Sequence, residues 1–183
     1  MLILCATKTE AVPIIEALKM QKIACAPYSL FANDEHRLLI TGIGAVAAAA
    51  ACGYALGQKE EPLCNIGYAA GNAIGKLYNI SKVVDTCTHK VYHLPKSEHL
   101  PNAACTTLPQ PATKRLETLA DMEASAIVQA AKRFKQPCKI LKIVSDAFNP
   151  QSCPHDSSLI EVYTVTILRE ISLQSPKNFQ GNR

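Results

Sequence analysis

The chain has 183 residues, of which 48% are hydrophobic, 5% aromatic and 19% charged, with 19 Lys and Arg against 15 Asp and Glu, a net charge of +4 and no Trp. That length suits one domain, and the apolar share supports a core of Ala, Ile, Leu and Val, which excludes global disorder. The charge is too mild and the aromatics too few for a nucleic-acid surface, and no apolar stretch reaches the roughly 18 residues of a membrane span.

Leu2–Ala6 reads as a buried strand. Thr9–Met20 reads as a helix, with Ala11, Ile14, Ile15 and Leu18 at three- and four-residue spacing and Pro13 tolerated near its first turn. Arg37–Thr41 is the next expected strand, broken by Gly42-Ile43-Gly44, and an Ala-rich helix follows over Ala45–Leu56, ending near Gly57. Pro62–Ile66 is expected to be a strand that stops at Gly67. Lys82–Thr88 and His89–Leu94 read as extended, and residues 95–112, with Pro95, Pro101, Pro109 and Pro111, as loop-rich. Asp121–Phe134 reads as a helix, Lys139–Val144 as a strand, and Leu159–Leu173 as a helix capped by Asp156 or Ser157. A single domain over 1–175 and a flexible polar tail over 176–183 are expected.

The cysteines, at 5, 25, 52, 64, 87, 105, 138 and 153, form no CxxC and no zinc spacing. Four disulfides are possible on count alone. However, Met1-Leu2-Ile3-Leu4-Cys5-Ala6 lacks the basic start of a secretory signal, so a reduced, cytoplasmic protein is expected. The five histidines offer no ligand set, and no metal is expected.

Strands alternating with helices predict a parallel or mixed sheet covered on both faces. Sites in such sheets lie at the carboxyl ends of strands. That rule selects Ala6–Glu10, Thr41–Ala45, Asn65–Gly71 and Ser145–Asn149, with Asp121-Met122-Glu123 as a fifth segment. Gly42-Ile43-Gly44-Ala45-Val46-Ala47 fits half of a dinucleotide signature, but Glu60 and Glu61 precede the next strand instead of ending it. The turn is then either close helix–sheet packing or a set of backbone amides facing a polar ligand. Glu10, Asp121 and Glu123, each taken alone, read as first-turn acids. Asp146, at a strand's end, is either a cap or a functional carboxylate. No GxSxG elbow occurs.

Taken in order, Thr41-Gly42-Ile43-Gly44, Asn65-Ile66-Gly67-Tyr68-Ala69-Ala70-Gly71, Asp121-Met122-Glu123-Ala124-Ser125-Ala126-Ile127 and Ser145-Asp146 make the chain resemble the nucleoside phosphorylase/nucleosidase superfamily. The likeness is to its 5′-methylthioadenosine/S-adenosylhomocysteine nucleosidase type, in a shortened form, over residues 1 to about 150. It implies a three-layer α/β/α sandwich around a mixed, partly barrel-like sheet. It also implies an N-ribosyl hydrolase of a purine or 5′-modified purine nucleoside, needing no cofactor and working as a homodimer on a small molecule, not on nucleic acid or a membrane. In that resemblance Asp146 protonates the purine at N7 and Glu10 deprotonates the attacking water. Glu123 holds the ribose hydroxyls above Met122, and Ser145 positions Asp146. Ala69 and Gly71 line the site by backbone, and Tyr68 narrows it. The chemistry needs such a set, because the leaving purine must be neutralised and the sugar becomes cation-like. A non-catalytic nucleoside-binding relative and a phosphorylase are the alternatives.

Several positions depart from the family pattern. The stretch between Tyr92 and Asp121 is short, Asn149 replaces an acid, and Thr7 replaces an apolar residue. The resemblance therefore implies a reduced base wall, with Leu108 and Tyr68 its bulky members, and weak binding of methylthioadenosine. None of Arg37, Arg115, Arg133, Arg169 and Arg183 falls in the segments where a phosphate would sit, so phosphate-independent cleavage is expected.

Overall fold

The structure, a computed structural model, describes residues 1–153 and 156–173; the tail expected over 176–183 lies outside them. In chain order the elements are β1 (Leu2–Cys5), α1 (Lys8–Ala17), β2 (Gln21–Ala24), β3 (Leu30–Ala32), β4 (Arg37–Ile40), α2 (Ala45–Gln58), β5 (Leu63–Ala70), β6 (Leu77–Asp85), β7 (Val91–His93), β8 (Asn102–Thr107), β9 (Leu119–Asp121), α3 (Ala124–Arg133), β10 (Cys138–Asp146) and α4 (Ser158–Ser172).

The strands form one mixed sheet in the order β10-β6-β8-β9-β5-β1-β4-β3-β2, with β7 paired to β6. Strand β10 also pairs in parallel with β5, from Cys138 opposite Leu63 to Asp146 opposite Ala70. So β5, β10, β6, β8 and β9 close into a ring, and β1, β4, β3 and β2 extend from it as an open arm. The period-two alternation of the strands separates two cores. Leu2 and Leu4 join the residues of α2 and α3 on one face. Ile3 and Cys5 join those of α1 and α4 on the other. This is the three-layer α/β/α arrangement around a mixed, partly closed sheet that the motifs implied.

Several elements differ from the sequence reading, among them α1, which ends at Ala17 and not Met20, and β6, which starts at Leu77 and not Lys82. Strand β5 does not stop at Gly67 but runs to Ala70, because the glycine there answers a crowding demand and not a turn. Helix α2 runs past Gly57 to Gln58. Asp121 ends β9 instead of opening a helix, and α3 starts at Ala124, whose N–H donates to Asp121 Oδ2 (2.8 Å). The proline-rich stretch contains β8, which pairs in parallel with both β6 and β9. The antiparallel pair β2 and β3 was not expected; β2 is largely exposed and carries no alternation of buried side chains. No disulfide joins the cysteines among the described residues. Among the described residues no helix is long and apolar enough to cross a membrane.

Candidate active site

A cavity of about 410 Å³ opens where β1, β5, β9 and β10 end. Four carboxylates lie along it: Glu10, Asp121, Glu123 and Asp146. Each belongs to a residue that is only 6% exposed.

Glu10 is set by the first turn of α1. Thr7 is the N-cap and forms a capping box with it: the Glu10 N–H donates to Thr7 Oγ1 (3.3 Å), and Glu10 Oε2 accepts from Thr7 N–H (2.9 Å) and Thr7 Oγ1 (3.2 Å). Its other oxygen, Oε1, accepts the N–H of Tyr68 (3.0 Å). That reach is possible only over a glycine, since a Cβ on Gly67 would stand 2.8 Å from Oε1. A carboxylate offers about four lone-pair sites, so roughly one remains for a ligand.

Glu123 sits immediately before α3. Its Oε1 accepts the N–H of Gly44 (2.7 Å), the residue that caps α2 with φ 99°. The glycine-rich turn thus presents an amide and a helix N-terminus to the protein's own carboxylate, not to a dinucleotide. Burial first, then the carboxylates of Asp121 and Glu10, push the Glu123 carboxyl up, against the opposing pull of Lys142 and the Gly44 N–H.

Asp146 ends β10 just after a bulge between Val144 and Asp146, which aims Ser145 and Asp146 at the cavity. Asp146 Oδ2 accepts Ser145 Oγ (2.9 Å), and Oδ1 accepts the N–H of Asn149 (3.0 Å). Phe148, between them, is held at φ 60° and is 6% exposed, packed with Ala70, Ala112 and Ala120. A left-handed aromatic residue costs on the order of 1–3 kcal/mol, which its packing must offset.

Among the described residues, the cation paired with these carboxylates is one that the sequence reading did not single out. Lys142 of β10 is 1% exposed, with Nζ 2.9 Å from Asp121 Oδ2 and 3.9 Å from Glu123 Oε2. Its ammonium lies over Gly67, where a Cβ would come within 3.6 Å of Nζ. Burial alone would lower its pKa, but Asp121 and Glu123 outweigh that and hold it above the ordinary lysine value. Asp121 is occupied by Lys142, Thr107 Oγ1 (2.8 Å to Oδ1) and the N–H of Ala124, so it fastens this group and the start of α3. The signal in the sequence was a lysine inside the apolar run Ile140-Leu141-Lys142-Ile143-Val144. A charge there must be buried and therefore paired.

Of the residues chosen from sequence, Glu10, Tyr68, Ala69, Met122, Glu123, Ser145 and Asp146 all line this one cavity. Gly71 does not. It is packed beneath, its N–H donating to Asp146 O (2.9 Å), and a Cβ on it would meet Leu119 Cδ2 at 2.5 Å. Nor is Leu108 a wall residue; it packs behind Ala112 and Phe148 while Pro111, Ala112 and Ala120 form the surface. Burial, then Glu10, push the Tyr68 phenol up to about 12. Thr9 and Ile43 line it from the marked segments Ala6–Glu10 and Thr41–Ala45, and Pro150 and Cys153 complete parts of the lining that the sequence did not mark. Among the described residues, no cluster of His, Cys, Asp and Glu has the arrangement of a metal site.

No protein-family model matches the chain, and no curated protein sequence matches it. Solved structures do. The crystal structure of an MTA/SAH nucleosidase is similar with a TM-score of 0.81 and 15% identity, covering 97% of each chain. The apo form of Arabidopsis thaliana 5′-methylthioadenosine nucleosidase gives 0.80 at 15% identity, again over 97% of each chain. The Colwellia psychrerythraea 34H MTA/SAH nucleosidase in complex with adenine gives 0.74 at 18% identity over 91% of each. The chain has the fold of these nucleosidases over nearly its whole length.

Proposed function

We propose that the protein is an N-ribosyl hydrolase that cleaves the glycosidic bond of a purine or 5′-modified purine nucleoside. One observation carries this reading: Glu10, Glu123 and Asp146, drawn from three separate elements, face a single cavity in a nucleosidase fold. Asp146, in its acid form, gives a proton to the purine N7, so the base leaves neutral. Ser145 and the Asn149 amide fix the orientation of that carboxyl. Glu123 accepts the ribose hydroxyls, while the Gly44 amide holds its other oxygen. Met122 packs beneath the sugar. As the sugar becomes cation-like, the nearby carboxylates stabilise it. Glu10, with three of its lone-pair sites already filled by Thr7 and Tyr68, uses the remaining one to take a proton from water.

Hydrolysis is favoured over phosphorolysis by charge. No lysine or arginine lines the cavity among the described residues, and the Glu10 carboxylate that lines it would repel a phosphate. The chain works as a homodimer. An open groove floored by Ala45, Ala49, Gly53, Ala126 and Ala130 joins α2 to α3, and Val46 on its rim is 85% exposed. Cysteines without a disulfide among the described residues suit a reducing compartment such as the cytoplasm.

The test is release of free base from a panel of purine nucleosides, with and without added phosphate, followed by chromatography. Free base and free ribose in phosphate-free buffer are expected. Ribose-1-phosphate formed only with phosphate would make it a phosphorylase. Binding by calorimetry without base release would make it a non-catalytic relative. A sedimentation mass of one chain would remove the dimer.

A further inference from the structure

Resting on the hydrolase reading, we infer that the substrate carries a free 5′-hydroxyl, seated by the hydroxyl-bearing side chains beside Glu10. The base end is fixed by Asp146 with Pro111, Ala112 and Ala120, and the sugar by Glu123 and Met122. Ile43 belongs with the sugar, because its neighbour Gly44 holds Glu123. The rest of the lining includes Ala6 and Pro150, and beside Glu10 it carries three hydroxyls, those of Thr7, Thr9 and Tyr68.

The hydrogen-bond inventory at this end is open in a specific way. Thr7 Oγ1 gives its proton to Glu10 Oε2 and accepts the Glu10 N–H, which leaves one lone pair. Tyr68 donates its phenolic proton to Asp156 O (3.1 Å), so its oxygen is left as an acceptor. The Thr9 hydroxyl lines the cavity and makes no hydrogen bond with a described residue, so it can both give and receive. A substrate hydroxyl is donor and acceptor at once and satisfies this set. A thioether is a weak acceptor with no proton; it would strip water from these hydroxyls and return little. A 5′-phosphate meets the opposite fault. Glu10 repels it, and the nearest buried cation, Lys142, is already committed to Asp121 and Glu123.

The test compares kcat/KM for base release from adenosine, 5′-deoxyadenosine, 5′-methylthioadenosine and adenosine 5′-monophosphate with the full chain. Adenosine is expected to exceed 5′-deoxyadenosine by about tenfold or more, the size of one well-made hydrogen bond. Thr9→Val should shrink that ratio to within about threefold, and Thr9→Ser should restore it, which separates hydroxyl recognition from a packing change. If 5′-deoxyadenosine or methylthioadenosine is cleaved as well as adenosine, the inference is overturned and the hydrolase reading stands. If no nucleoside releases base, the hydrolase reading fails, and calorimetry on adenosine and 5′-deoxyadenosine decides the seat. Tighter adenosine supports it; equal or absent binding overturns it.

Discussion

Lys139 and Lys142 stand three residues apart on β10, so the pleat sends them to opposite faces of the sheet. Lys142 is buried, Lys139 keeps 10% of its side chain exposed, and both are ion-paired. Lys139 pairs with Glu170 of α4, which is 1% exposed and also accepts Ser97 Oγ on both oxygens (3.2 Å). Ser97 is in turn tied to Asn102, and Asn102 to Asn79. Lys142 pairs with Asp121 and Glu123. The chemistry of the two pairs is the same, but what lies beyond them differs. Behind Glu170 come further protein groups, and the set fastens α4 and the loop before β8 to the sheet. Behind Asp121 and Glu123 comes a cavity. There, three carboxylates, with Glu10, share one ammonium, and the excess of negative charge faces space that a ligand can occupy. A balanced buried pair is scaffold. A buried pair left unbalanced beside a cavity has electrostatic work still to do on a substrate.

The strongest way to break this comparison is Lys142→Met. It leaves Asp121, Glu123 and Glu10 without their counter-charge, and removing one partner of a buried ion pair costs about 3–5 kcal/mol. Urea denaturation should show that loss, and base release should fall with it even where the protein remains folded. If the variant keeps full activity, Lys142 belongs with Lys139 as scaffold.

Asp146→Asn comes next. The change is nearly isosteric and keeps an acceptor for the Asn149 amide, but it removes the acid. A rate loss of ~10²-fold or more is expected, the usual size of a general-acid contribution, with an unchanged urea midpoint. Unchanged turnover would take Asp146 out of the mechanism.

On the other face the double substitution Lys139→Met with Glu170→Leu should be mild. Replacing both members of a buried pair by apolar residues of similar size is often neutral or stabilising. A change within about 1 kcal/mol and unaltered kcat/KM are expected, measured by urea melts and base release. A loss of activity larger than the loss of stability would show that α4 carries a functional load.

These contrasts also explain what could be read from the chain beforehand. The helices and the strands β1, β4 and β10 were legible because burial imposes apolar runs and periods on them, whereas β6 was read only from Lys82 and β5 only to Ile66. The two faces of β1, for example, alternate Leu2 and Leu4 against Ile3 and Cys5. Strands β2 and β8 were not legible. One is largely exposed and so carries no period, and the other is six residues between Pro101 and Pro109. Of the site, the carboxylates were legible through ordered motifs, and Gly71 was assigned to the lining because sequence cannot separate a glycine that meets a ligand from one that meets Leu119. Lys142 was missed for a deeper reason. Its role depends on Gly67, Asp121 and Glu123 meeting across three strands, and no local spacing encodes that closure.

The smallest expected effect concerns a third base, far from both lysines in chain position and beside an exposed carboxylate instead of a buried one. His36, just before β4, is 7% exposed, and its Nδ1 has no hydrogen-bond partner among the described residues. The groups around it are the N-terminal ammonium, Glu35, whose Oε2 is 3.7 Å from Nε2, and Glu61, which binds that ammonium at 3.1 Å. Burial first, and the ammonium second, lower the His36 pKa below its ordinary 6.5, while Glu35 and Glu61 oppose them. The folded protein therefore binds this proton less readily than the unfolded chain does. Stability from neutral His36 is fully present above pH 6.5 and is lost as the pH falls from there through the folded value. His36→Gln cannot titrate, so its melting temperature should fall less than that of the wild type between pH 7 and pH 5, by roughly 1–2 °C. Parallel melting curves for the two proteins across that range would mean that solvent reaches the imidazole and that this base, unlike the two lysines, is buried in name only.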